Sequence, residues 1–205
     1  MLPEIWIFDS YTLMIVLGII LCFLVFYLYN KKHVFDKGLF LSIIINALFS
    51  IGVGLIFAIA FQNLYEYIES PSEYQFTLGM TFYGGLIGGS IFFLLIYFFV
   101  QRKKYGPFLK DKLLIIAPSM ITIAHGLGRI GCFLSGCCYG IETNSILGMK
   151  FPNLPNKVFP TNLYEAIFLI VLSSVLFILA YIDKGKFNFP IYLISYGLFR
   201  FSIEF

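Results

Sequence analysis

YTLMIVLGIILCFLVFYLY, residues 11–29, carries no charged side chain. About 20 apolar residues in a row are what a helix needs to cross the hydrocarbon core of a bilayer. Working outward from this run, similar ones fill 39–61, 80–100, 113 to about 138, 162–182 and 189–205. The expected architecture is therefore all-α: a polytopic membrane protein of about six transmembrane helices forming a single domain over 1–205. Composition agrees. Hydrophobic residues make up 60% and charged residues 12%, against roughly 25% charged in soluble domains. A mean hydropathy of +0.89 leaves too little polar surface to face water, which excludes a soluble function and nucleic-acid binding.

The first run is not read as a cleaved signal peptide, because Glu4 and Asp9 stand where a basic n-region would be. Tyr27, Tyr29, Tyr65, Tyr67, Tyr97 and Tyr181 fall near the ends of runs, where interfacial aromatics anchor helices.

The charges are sorted. Lys31, Lys32 and Lys37 follow the first run. Arg102, Lys103, Lys104, Lys110 and Lys112 follow the third, and Lys184 and Lys186 follow the fifth. The positive-inside rule puts these loops in the cytoplasm. The N-terminus and the loops around Glu69 and Asn153 then lie outside.

Arg129 and Arg200 interrupt apolar stretches. A charge at bilayer depth costs about 2.5–3.5 kcal/mol on insertion scales and usually faces a bundle interior or a wet cavity. One reading is structural pairing with Glu165 or Glu204. The other is a site, because each arginine has polar neighbours at helical spacing. His125 and Arg129 are one turn apart. Tyr196, Arg200 and Glu204 fall at i, i+4 and i+8 on one stripe. Pro160 can open the fifth helix, which puts Glu165 near its outer end, within reach of either arginine. Residues 125–140 hold Gly126, Gly128, Gly131, Gly136 and Gly140, a poor sequence for regular helix. A broken or re-entrant segment is expected there, its freed N–H groups suited to an anion. The third run opens with Tyr83-Gly84-Gly85 and continues to Gly88-Gly89; glycines so spaced let helices or lipid approach closely. These features gather in the outer half of the membrane, and arginine grips phosphate bidentately.

At these residues the chain resembles the bacterial prolipoprotein diacylglyceryl transferase family. The matching stretches are Tyr11 in the opening helix, Phe82-Tyr83-Gly84-Gly85-Leu86-Ile87-Gly88, Gly128-Arg129-Ile130-Gly131 with Phe133, Pro160 with Leu163-Tyr164-Glu165-Ala166, and Tyr196-Gly197-Leu198-Phe199-Arg200 with Glu204-Phe205. The resemblance implies a bacterial inner-membrane enzyme that moves the diacylglyceryl group of phosphatidylglycerol to the lipobox cysteine of a preprolipoprotein. No cofactor and no metal is expected. Its partners would be phosphatidylglycerol, the preprolipoprotein and membrane lipids. Arg129 and Arg200 would hold the phosphate, Glu204 would orient Arg200, and Tyr83 and His125 are further catalytic candidates. Tyr11, Gly84, Gly85, Gly131, Tyr164, Glu165 and Tyr196 would line the substrate pocket.

The chain departs from the family pattern. The family's His-Gly-Gly reads Tyr83-Gly84-Gly85. Its Asn-Phe-x-Asn-Gly-Glu reads Cys132-Phe133-Leu134-Ser135-Gly136-Cys137. The 140–160 segment is short where the family usually has a head domain, and the family usually continues through another helix beyond the position of Phe205. His125, one turn from Arg129, can stand in for the missing histidine as base or serve structure. Cys132, Cys137 and Cys138 have several readings: small packing residues, a disulfide pairing Cys132 with one of the other two, a metal site with His125, or a nucleophile. Two alternatives accompany the transferase: a relative that moves another lipid group, and a non-enzymatic lipid-binding or transport protein.

Overall fold

A computed structural model describes residues 4–5, 8–33, 37–72, 74–106, 108–152 and 154–204. It is a polytopic helical membrane protein. A two-residue pairing of β1 (Glu4–Ile5) with β2 (Phe8–Asp9) leads into α1 (Ser10–His33). Next come α2 (Lys37–Glu69) and α3 (Phe82–Ile96), which continues through a π turn (Tyr97–Gln101) into α4 (Arg102–Tyr105). Then follow α5 (Phe108–Ser135), the hairpin β3 (Met149–Lys150) and β4 (Lys157–Val158), α6 (Thr161–Tyr181), a 3-10 turn (Gly185–Phe187) and α7 (Asn188–Glu204). Among the described residues five helical spans are long and apolar enough to cross a membrane; α7, the sixth expected, has 17 residues. The apolar window of α1 is only 11% buried, as expected of a helix whose remaining surface faces lipid.

The helices overrun the apolar runs where polar residues can reach water. Thus α1 extends to His33 and α2 to Glu69. Asp9 stops β2 and starts α1, its Oδ2 accepting from Thr12 N at 2.9 Å and Thr12 Oγ1 at 3.0 Å, an N-cap arrangement.

The chain divides into two compact units, 35–110 and the remainder. In the first, α2 and α3 cross through small residues. A Cβ on Gly54 would lie 2.9 Å from Gly85 O, and one on Gly89 3.0 Å from Ser50 O. Such contacts drive association where lipid offers no hydrophobic gradient. A buried polar group locks the crossing: Gln101 Nε2 donates to Ser42 O at 2.9 Å, and Asn46 Nδ2 to Phe93 O at 3.2 Å.

The second unit packs α1, α5, α6 and α7. Within α5 the glycine-rich stretch stays helical. Gly126 lets α6 approach, with Leu169 and Ile170 side chains 3.1–3.3 Å from its would-be Cβ. Gly131 does the same for α1, with Tyr11 and Met14 at 3.1–3.3 Å. The expected interruption is therefore displaced: α5 runs unbroken to Ser135, and the chain reverses at Gly136, φ +74. Packing on both sides compensates the low helix propensity of glycine. Deeper along the pair, Ser119 Oγ donates to Ser173 O at 3.0 Å and Ser173 Oγ to Ser119 O at 2.8 Å. Asn188 Nδ2, at the start of α7, donates to Ile115 O and Leu176 O at 2.9 and 2.8 Å.

At the Lys32 end of this unit α1 is clasped to the α6–α7 turn. Asp183, at φ +61, receives His33 Nε2 at 2.7 Å and Lys32 Nζ at 3.3 Å. Lys32 also donates to Tyr181 O. At the opposite end the short 140–160 segment folds as the hairpin, with Lys150 opposite Lys157. Phe151 is buried beneath it against Phe133 and Tyr139.

Candidate lipid-phosphate site

Glu165 is the hub. It lies one turn into α6, and its side chain is 1% exposed. Four groups from two other helices converge on its carboxylate. From α5, Arg129 Nε lies 3.1 Å from Oε2 and His125 Nε2 3.5 Å from Oε1. From α7, Arg200 NH1 donates to Oε2 at 3.2 Å and Tyr196 OH to Oε1 at 2.8 Å. Among the described residues the Arg129 Nε–H meets no acceptor at hydrogen-bonding angle, so its attraction to Glu165 is coulombic.

Helical spacing explains the convergence. His125 and Arg129 are one turn apart on α5, and Tyr196 and Arg200 one turn apart on α7. Each pair presents one cation and one ring to the same point. The rings of His125 and Tyr196 meet edge to face at 5.5 Å, and Tyr192 stacks on Tyr196 at 6.0 Å. Next to this cluster, Phe168 of α6, one turn after Glu165, and Phe199 of α7 stack at 4.2 Å, fixing the seam beside the arginines.

Two guanidiniums share this one carboxylate. The side chains of Arg129 and Arg200 remain 26% and 36% exposed. A guanidinium has five donors in a fork, a geometry that matches an oxyanion bidentately.

An open apolar groove of about 410 Å³ adjoins it, lined by Phe159, Tyr164, Phe168 and Phe199 among others. Tyr164 donates to Leu147 O at 2.9 Å, which ties the hairpin segment to the groove. Asn162, fully buried, sits beneath the α5–α6 connection and donates to Cys137 O at 2.7 Å.

A family model described as prolipoprotein diacylglyceryl transferase matches residues 4–205. The chain belongs to the prolipoprotein diacylglyceryl transferase family. It is similar to the phosphatidylglycerol–prolipoprotein diacylglyceryl transferase of Clostridium tetani, 32% identical over 86% of this chain and 69% of that relative. It is similar too to transferase 2 of Clostridium perfringens, 34% identical over 96% and 77% respectively. A Francisella tularensis transferase is 38% identical over 74% of this chain and 56% of its own length.

Of the residues expected at a transferase site, Arg129, Arg200, His125, Glu165 and Tyr196 come together. Tyr11 packs on Gly131 at the start of α1. Gly131 is thus enclosed by α1. Gly84 and Gly85 lie in the α2–α3 crossing, against Phe57, Phe61 and Ala58. Tyr83 belongs to that other unit and is exposed there. Arg200 is oriented by Glu165; the side chain of Glu204 lies outside the described residues. The sequence reading missed Asn162, Tyr192 and the Phe168–Phe199 stack. A polar residue directly after a helix-opening Pro-Thr was the available signal for Asn162. The aromatic contacts left none, because such rings are common in every span.

Proposed function

We propose that the protein transfers the diacylglyceryl group of phosphatidylglycerol to the lipobox cysteine thiol of a preprolipoprotein. The observation that carries this reading is the convergence of Arg129 and Arg200, both part-exposed, on buried Glu165, a pair of guanidiniums with the fork geometry that grips a phosphodiester. In the reaction the cysteine sulfur attacks the glyceryl carbon bonded to the phosphate oxygen. A C–S bond forms, that C–O bond breaks, and glycerol phosphate leaves with the bonding electron pair while the thiol proton passes to a base. A second negative charge develops on the phosphate. The two arginines, already held by Glu165, meet it without reorganising, an effect that commonly contributes several kcal/mol. Tyr196 keeps the carboxylate in place, and His125 is the candidate base. The groove beside Tyr164 suits an acyl chain.

In this reading the two units form one transmembrane domain in a bacterial cytoplasmic membrane. The N-terminus and the site lie toward the outside, and the basic loops toward the cytoplasm. Transfer of another lipid group, or to another acceptor, is favoured by one observation: Cys132, Ser135 and Cys137 stand where the resemblance calls for Asn, Asn and Glu. Labelled phosphatidylglycerol incubated with a lipobox peptide separates the two. Thioether product with equimolar glycerol phosphate is the expected result. Hydrolysis or transfer to a different acceptor supports the second reading, and bound lipid without turnover rejects both.

A further inference from the structure

Three thiols meet at the outer end of α5, apart from the Glu165 cluster. The Sγ atoms of Cys132, Cys137 and Cys138 all lie within 4.8 Å of one another, and all are free. The backbone brings them there. Gly136 N donates to Phe133 O at 3.2 Å and Cys137 N to Cys132 O at 3.0 Å, and Gly136 has a left-handed φ of +74. This is the Schellman ending of a helix, which habitually brings the side chains of the two residues corresponding here to Cys132 and Cys137 into contact. Usually that contact is apolar; here it joins two thiols. Cys138 then also adopts left-handed φ, +57, a conformation costing a non-glycine residue about 1–2 kcal/mol. It is held by the start of α6, where Asn162 Nδ2 donates to Cys137 O at 2.7 Å and Thr161 Oγ1 to Cys138 O at 3.3 Å. The third thiol is thereby fixed beside the first two.

We propose that Cys132, Cys137 and Cys138 form a binding site for a thiophilic d10 metal cation of the class of Zn(II), Cd(II) and Cu(I). Such cations select thiolate sulfur. Around tetrahedral zinc, with Zn–S of about 2.3 Å, sulfurs sit about 3.8 Å apart, a spacing reached from the present one by small rotations about χ1. Binding a divalent cation releases three thiol protons and leaves a site of net charge −1. Arg129, one turn before Cys132 on α5, lies close enough to offset that charge. Cys132 is buried while Cys137 and Cys138 are exposed, so a cation enters from the hairpin side. Three thiolates leave a tetrahedral cation one further position, the pattern of an exchangeable site rather than of a closed structural one.

The test uses the full chain in detergent, reduced with a phosphine and titrated with Cd(II). The ultraviolet thiolate-to-cadmium band is expected to saturate at one cation per chain, with a cadmium-113 shift in the range of three-thiolate coordination, and Zn(II) is expected to compete. Cys22→Ser should leave the titration unchanged. Cys132→Ser, Cys137→Ser and Cys138→Ser should each weaken binding by more than the roughly 10- to 100-fold that loss of an outer-shell partner costs. Cys138 is exposed, so its variant keeps the readout independent of folding, which melting curves monitor. A band that never saturates, or one that survives in the triple variant, overturns the proposal. So does recovery of two of these thiols as a disulfide that the phosphine does not open.

Discussion

Glu165 is the residue on which the site depends, because it is a buried carboxylate shared by two guanidiniums. Removing one partner of a buried ionic group leaves uncompensated charge and typically costs about 3–5 kcal/mol. Glu165→Gln is expected to lower the melting temperature in detergent and to abolish transfer. Adding Arg129→Gln to it should recover part of the lost stability but none of the transfer, which separates support from chemistry. Arg129→Ala and Arg200→Ala should each reduce turnover by about 10²–10³-fold, the scale for losing one preorganised charge-stabilising donor. His125→Ala is the sharper comparison. If His125 takes the thiol proton, its variant loses turnover and regains some as the pH is raised and the acceptor thiol ionises unaided. Wild-type turnover in that variant would leave His125 as a structural partner of Glu165 and Tyr196.

At the scale of the element, the glycines of α5 are crossing points. Pattern alone suggested that Gly126, Gly128 and Gly131 would break the helix. Instead, two of them face neighbours: Gly126 faces α6 and Gly131 faces α1, each closely enough that an added Cβ would meet side chains near 3.1 Å, while Gly128 meets nothing within 4 Å. Gly131→Leu should therefore push α1 from α5 and carry Arg129, two residues earlier, out of register with Glu165. The expected outcome is loss of transfer together with a lower melting temperature. Gly128→Ala should be tolerated on both counts. The same contrast shows why composition misleads here. In a membrane a glycine's missing side chain is as often an interface as a flexible joint.

For the whole molecule, membrane sidedness and the clasp at Asp183 are the testable properties. His33 and Lys32 hydrogen-bond Asp183 and hold its carboxyl below the ordinary carboxylate value of 3.8. A depressed folded-state value means that the clasp's contribution is complete above the unfolded carboxylate's range. It is lost as pH falls through the lowered value. Asp183→Asn should thus melt below wild type at neutral pH, and the two curves should merge in strong acid. The clasp joins the end of α1 to the turn after α6, so both ends lie on one face of that unit. The thiol turn, Tyr11 and the start of α6 lie at the other. A Lys184→Cys variant in a Cys-free background should react with a membrane-impermeant maleimide only after the cells are opened. Reaction in intact cells would invert the topology.

The sequence by itself determined that the chain crosses a membrane several times, because uncharged runs of bilayer length have no other stable place. It also singled out Arg129, Arg200, Glu165, Tyr196 and His125, because ionisable groups inside apolar runs are too costly to be incidental. Helical spacing paired them on α5 and on α7. Only the tertiary structure decided that both pairs close on the same carboxylate, with the two arginines sharing Glu165 Oε2. That depends on the angles at which three helices cross. It likewise decided that the glycine stretch stays helical and that three cysteines meet beyond it. Crossing angles follow from which small residues face which neighbour, and a linear pattern of glycines and apolar residues is compatible with many such facings.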